Sequence, residues 1–313
     1  MPLSILAYYQ ESLEESYQLL QESLAVARET GDQWAIADAL LHTGDKAHAA
    51  GEYERAAQSY QEAARQFRQN GDMGGVGPSL QKLSLIAINR GRYDEALTIA
   101  QEIMPLVRDF LPTHSFRALG YALIALRAYE KAEAQFQQAL AFTGESKENT
   151  RDMLFGLGWA AFGVGEYARA AQQYQESLAE ALEIDDLAYV ARNHDALGRL
   201  NLAQGNDVRA REHLLAALQA GIPLGQPPLI LDCLATVAEL FLAEGNLEYA
   251  ALLAMQVETN PASRAKIKER TARLLTRLEA ELPANDLAKL RQRSRPSELD
   301  TVAAQLLVDL KTP

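Results

Sequence analysis

The sequence predicts an all-α solenoid of antiparallel helix pairs, and three observations carry that expectation. A Gly-x-Tyr-x-x-Ala pattern recurs along the chain, as Gly51-Glu52-Tyr53-Glu54-Arg55-Ala56, Gly91-Arg92-Tyr93-Asp94-Glu95-Ala96 and Gly165-Glu166-Tyr167-Ala168-Arg169-Ala170. A small residue stands seven positions before each repeat start: Gly44, Ser84, Gly120, Gly158, Gly198 and Ala238. Alanine, leucine, glutamate and glutamine dominate while valine, isoleucine and threonine are sparse, a bias toward helix over strand.

The elements follow in chain order. Residues 4–29 supply only the second helix of a pair, with a degenerate repeat start near Glu11, so 1–32 reads as a half repeat or cap. Residues 33–260 read as six helix pairs. Counted from the degenerate start near Glu11, the starts, looser at Arg127, Gly205 and Gly245, follow at intervals of 40, 40, 36, 38, 40 and 40 residues. Such a period marks a repeat array, in which stacking covers the apolar faces that one hairpin leaves wet. A mostly apolar residue lies four before the small one (Leu40, Leu80, Phe116, Leu154, His194, Leu234), which is one stripe of a helix. The glycine ends the first helix, because it tolerates the positive φ of a tight turn. The small residue and the alanine at Ala56, Ala96, Ala132, Ala170, Ala210 and Ala250 mark where two helices cross closely. The tyrosine, and the residue four after the alanine (Tyr60, Ala100, Phe136, Tyr174, Leu214, Ala254), are expected to fill the gap to the next unit. Aspartates in Gly31-Asp32, Gly71-Asp72 and Asp185-Asp186 are placed to cap the following helix. Residues 261–313 read as capping helices over Ser263–Glu281, Asp286–Arg293 and Ser297–Leu310.

Composition narrows function. Net charge is -12, so the surface repels phosphate backbones and direct nucleic-acid binding is disfavoured. The lone cysteine, Cys233, sits among apolar residues, so no disulfide forms within the chain and a thiolate zinc site is excluded. The N-terminus lacks a signal peptide's basic and apolar regions, and no window is apolar enough for a membrane helix. A reducing, cytoplasmic setting is expected.

Tests for chemistry come out negative. Gly71-Asp72-Met73-Gly74-Gly75-Val76-Gly77-Pro78-Ser79 evokes a phosphate loop, but proline holds the lysine position and the register makes it a turn. The five histidines, His42, His48, His114, His194 and His213, form no zinc-binding spacing, and no Gly-x-Ser-x-Gly elbow occurs. No catalytic residue, metal or cofactor is assigned, and the chain is not expected to be an enzyme.

The repeated pattern resembles the tetratricopeptide repeat, in a form longer than that family's usual unit. The long unit looks like the sensor array of signal-transducing NTPases of the STAND class, including the maltose-regulon activator family. Ser297-Glu298-Leu299-Asp300-Thr301-Val302-Ala303 resembles the ending of many such bacterial regulators, with Ser294-Arg295 where those carry Gly-Arg. The resemblance implies a right-handed superhelix whose first helices line a concave groove. It implies a partner that is a peptide, a protein or a small ligand, with an upstream NTPase domain of the same longer protein as a further partner. A free-standing adaptor or peptide receptor is the alternative. Transferred onto this register, the groove positions lie six before, three before and one after each small residue. The middle of the array then offers Arg117, Tyr121, Phe155, Trp159, Arg192, Asp195 and Arg199 as the candidate site. Aromatic anchors beside arginines suit recognition, while Phe155 and Trp159 could equally pack between neighbouring first helices. The chaperone-tail clamp of Asn, Lys and Arg has no match, since Leu41, His42, Asp45, Gln81, Lys82 and Leu85 stand there.

Overall fold

The computed structural model describes residues 18–107, 111–293 and 299–311, and every described element is helical. Residues 4–17 of the expected first helix, and Ser297 and Glu298 of the last, lie outside them. The chain divides into two compact units, 1–180 and 181–313.

Unit 1 opens with α1, described over 18–30. Pairs follow: α2 (Gln33–Ala50) with α3 (Tyr53–Gln69), α4 (Met73–Asn89) with α5 (Tyr93–Val107), and α6 (Pro112–Ala125) with α7 (Tyr129–Leu140). The unit ends with α8 (Lys147–Gly163) and α9 (Tyr167–Glu183), whose last turn crosses the unit boundary. Unit 2 holds α10 (Leu187–Ala203) with α11 (Asp207–Gly221), a short 3-10 turn at Ile222–Leu224, and α12 (Pro227–Ala243) with α13 (Leu247–Thr259). Three further helices close it: α14 (Ala265–Glu281), α15 (Ala284–Arg293) and α16 (Leu299–Asp309).

Local chemistry explains the breaks. Gly51 ends α2 at φ 79°, and its counterparts at 91, 165, 205 and 245 do the same. Arg127 fills that slot before α7 and takes φ 60°, a conformation that strains a side-chain-bearing residue. The predicted caps form: Asp32 accepts from the Ala35 amide at 3.0 Å, Asp72 from Gly75 at 3.2 Å and Asp186 from Tyr189 at 3.1 Å.

The glycine-rich stretch at 71–79 is only in part the turn expected of it. The turn ends at Asp72, and helix α4 begins at Met73. Two of its glycines are there for packing. A Cβ on Gly75 would lie 2.3 Å from the Phe67 ring, and one on Gly77 would lie 2.9 Å from Val107.

The two recurring slots turn out to be one device. A Cβ built on Gly44 would stand 2.5 Å from the Tyr60 ring, one on Gly120 2.7 Å from Phe136, and one on Gly158 2.7 Å from Tyr174. Gly198 meets the smaller Leu214 at 3.0 Å. Each pair is sixteen residues apart, and where the first slot widens to Ser84 or Ala238 the second shrinks to Ala100 or Ala254. The ring therefore sits on the small residue of its own hairpin. The expected reach to the next unit holds as well: Lys82 lies over Tyr60, and Gly163 lies against Tyr129. Phe136 does both, since Gly156 of α8 also lies against it.

In unit 2, α16 folds back on the pairs. Ala303, Leu306 and Leu310 are buried, Tyr249 donates to Asp309 Oδ2 at 2.7 Å, and Arg211 donates to the Asp309 carbonyl at 3.1 Å. Among the described residues no helix is long and apolar enough to cross a membrane.

Candidate partner-binding rows

In unit 1 the register positions of successive first helices meet as polar rungs. Lys82 of α4 pairs with Asp45 of α2 at 2.5 Å, and Asp45 also accepts from the Tyr60 hydroxyl at 2.7 Å. Gln81 takes His114 Nδ1 at 2.9 Å and a very short bond from Arg117, both on α6. Arg117 bridges to Asp152 of α8 at 2.8 Å, and the Tyr121 hydroxyl donates to the other oxygen of Asp152 at 2.5 Å. Burial, reinforced by Arg117 and Lys82, holds His114 down to about 4, so it is neutral near pH 7.

The predicted aromatics come together on this frame. Tyr121 stands edge-on to Phe136 (centroids 5.0 Å apart) and to Trp159 (6.4 Å). Trp159 meets Phe155 at 6.2 Å, and Phe155 meets Tyr174 at 5.6 Å. Tyr121, Phe155 and Trp159 are each half-buried. Trp159 thus packs against Tyr121 of the neighbouring first helix, as the packing alternative expects. Offset and edge-on contacts of this kind fix ring orientation before any partner arrives.

Unit 2 holds the other three predicted residues. Arg192 lies over the Tyr189 ring at 5.0 Å. Asp195 is buried, with Arg199 and Arg270 close enough to act on its charge. Burial raises its carboxyl from 3.8 to about 6, against the pull of Arg270 and Arg199 and with Asp232 adding to the rise. Asp232 of α12 is likewise raised by burial, opposed by Arg264, Arg192, Arg270 and Arg199. Arg264, just before α14, makes a very short bridge to Asp232. Arg270 donates to Thr236 Oγ1 at 2.8 Å, and its Nε lies 3.1 Å from Glu239 but off the hydrogen-bond direction. One carboxylate oxygen each of Asp195 and Asp232 is buried without a hydrogen-bond donor.

Sequence reasoning missed Arg264 and Arg270, because the repeat frame was carried no further than Gly245. The available signal was the density of cations from Arg264 to Arg277. Two other groups are inert. His194 and His213 share one hydrogen bond, Nδ1 to Nδ1 at 3.0 Å, and burial lowers both. Their centroids are 5.3 Å apart, so the nitrogens point straight at each other rather than converging on an ion. Burial, with Asp195 and Asp232, raises the Cys233 thiol and keeps it protonated. Among the described residues no group of three or more His, Cys, Asp or Glu is placed to hold a metal.

No protein-family model and no curated protein matches the chain. Solved structures do. A tetratricopeptide repeat protein from Parabacteroides merdae aligns over 90 % of this chain and 99 % of its own, with TM-score 0.51 and 15 % identity. The fold is of the tetratricopeptide type. BtubC from P. vanneervenii (TM-score 0.49, 18 % identity, 74 % of this chain and 94 % of its own) is also similar. So is the apo form of RapI (0.48, 14 %, 99 % and 97 %). At such identities the likeness speaks to the tetratricopeptide-type fold and not to what is bound.

Proposed function

We propose that this chain is a non-catalytic binding array that takes a peptide segment of a protein partner on the row formed by Arg117, Tyr121, Phe155 and Trp159. The observation that carries the reading is the half-buried aromatic run on α6 and α8, braced by the Arg117–Asp152–Tyr121 rung. Pre-oriented rings lose little freedom on binding, and Tyr, Trp and Arg dominate binding energy at protein interfaces. Arg192, Asp195 and Arg199 form a second, separate polar row on unit 2. The long repeat unit supports a sensor or regulatory role in a STAND-type NTPase or transcription regulator, in which binding favours one of two states.

Selection of a random peptide library on the full chain tests the site. Peptides enriched on the wild type should lose about tenfold or more in affinity on Trp159→Ala, the order expected of an aromatic anchor. Equal affinity of the selected peptides for the variant would place binding elsewhere. An in-frame phosphate-binding loop upstream in the gene would support the NTPase context over a free-standing adaptor.

A further inference from the structure

Residues 261–313 carry eleven Lys and Arg against seven Asp and Glu, net +4, in a chain whose other 260 residues carry -16. Six of those cations fall between Arg264 and Arg277, against the single acid Glu269. At about 100° per residue, Lys266, Arg270, Arg273 and Arg277 share roughly 60° of the α14 surface. The buried Thr271, Leu274 and Leu278 look about 100° away from them.

Arg270 fixes where the stripe faces. Its bonds to Thr236 and its approach to Glu239 put it on the same side as the row of α12, beside Arg264, Asp232 and Asp195. Arg273 and Arg277 continue that side toward the C-terminus of α14; both are exposed, and neither has an acidic partner among the described residues. Nearer the cluster, Lys266 pairs with Glu269 at 3.9 Å and Arg270 with Glu239 at 3.1 Å, so the open cations of the stripe are Arg273 and Arg277. Two exposed arginines without an acidic partner among the described residues, on the cationic segment of an otherwise acidic protein, define the complement as anionic and multivalent. Arg273 and Arg277 stand one turn apart, about 6 Å, a spacing matched by carboxylates four apart on a helix or two apart on a strand.

We infer that this face of unit 2, along Lys266, Arg270, Arg273 and Arg277, docks an acidic peptide segment of a partner protein. The charge distribution favours a short segment over a nucleic acid. The cations form one stripe, and a long polyanion leaving it would run over strongly acidic hairpins. The surface is independent of the aromatic row on unit 1.

Fluorescence anisotropy with a labelled decaglutamate peptide and the full chain, at about 50 mM salt where surface charge is weakly screened, tests it. Decaglutamate should bind, and Arg273→Glu with Arg277→Glu should weaken it by about tenfold or more, in a variant whose helicity and melting match wild type. Trp159→Ala should leave this binding unchanged, and Arg273→Lys with Arg277→Lys should retain most of it. No binding by the wild type, or equal binding by the Glu variant, overturns the proposal. So does tighter binding of a ten-nucleotide oligothymidylate than of decaglutamate.

Discussion

The rung Arg117–Asp152 in unit 1 and the rung Asp195–Asp232 in unit 2 occupy the same register positions, three before one small slot and six before the next. In unit 1 the slot pair holds opposite charges, and Asp152 is satisfied on both oxygens, by Arg117 and Tyr121. In unit 2 it holds two acids, each left with a buried oxygen lacking a donor, and Arg264 and Arg270 of the tail join Arg192 and Arg199 of α10 in neutralising them. The same backbone frame thus yields a self-contained joint in one unit and a joint that also draws on the tail in the other. Two like charges cannot both be buried ionised without such help.

The comparison can be broken in order of expected effect. Arg264→Ala removes the bridge to Asp232 and should destabilise unit 2 by roughly 3 kcal/mol, as for a buried pair that loses one partner. Arg117→Ala should cost unit 1 a similar amount, read from urea melts. If Arg264→Ala proved neutral, the claim that the tail helps neutralise the Asp195–Asp232 rung would be wrong.

Asp195→Asn sharpens the contrast through pH. The carboxyl titrates at about 6 in the fold against 3.8 unfolded, so folding favours its protonated form. That favour is complete below about 3.8 and lost as pH rises through about 6. Near pH 7.5 the Asn variant should be more stable by roughly 2–3 kcal/mol, and near pH 4 the advantage should vanish. The difference between the two melting curves across that window isolates this group from the other titrating acids.

Gly120→Ala comes next. Its Cβ would press on Phe136, and overpacking of this kind costs about 1–3 kcal/mol. The loss should shrink when Phe136→Leu is added, while Gly198→Ala against the smaller Leu214 should cost less from the start. Simple additivity in the Gly120/Phe136 cycle would refute the pairing. The smallest effect is expected at the turn before α7. Arg127→Gly relieves the positive φ and should stabilise by about 0.5–1 kcal/mol, net of the freedom glycine gains when unfolded.

Much of this was legible in the residues themselves. The positions of Gly44, Gly120 and Gly158, and the caps at Asp32, Asp72 and Asp186, follow from local rules that act over one or two turns. That Tyr60, Phe136 and Tyr174 also rest on the small residue of their own hairpin was not legible, because periodicity gives spacing without saying which neighbours a ring faces. That Tyr121, Phe155 and Trp159 come together follows from the register, since a row repeats wherever the frame does. Arg264 and Arg270 escaped because they lie past the last recognisable start, and a long cationic side chain declares its partner only when the partner's helix is in place.

The sixteen-residue pairing has a bearing on how such a chain can be rebuilt. A whole hairpin carries both halves of the sixteen-residue fit, such as Gly with an aromatic or Ser with Ala, and can be moved as a cassette where its outer contacts, such as Phe136 with Gly156, are matched too. Exchanging a single helix between hairpins mismatches the two: the second helix of the Ser84 hairpin set against Gly120 leaves a hole the size of a ring, and the reverse swap drives Phe136 into Ser84. For this fit, the unit of engineering in the array is the pair of helices, not the helix.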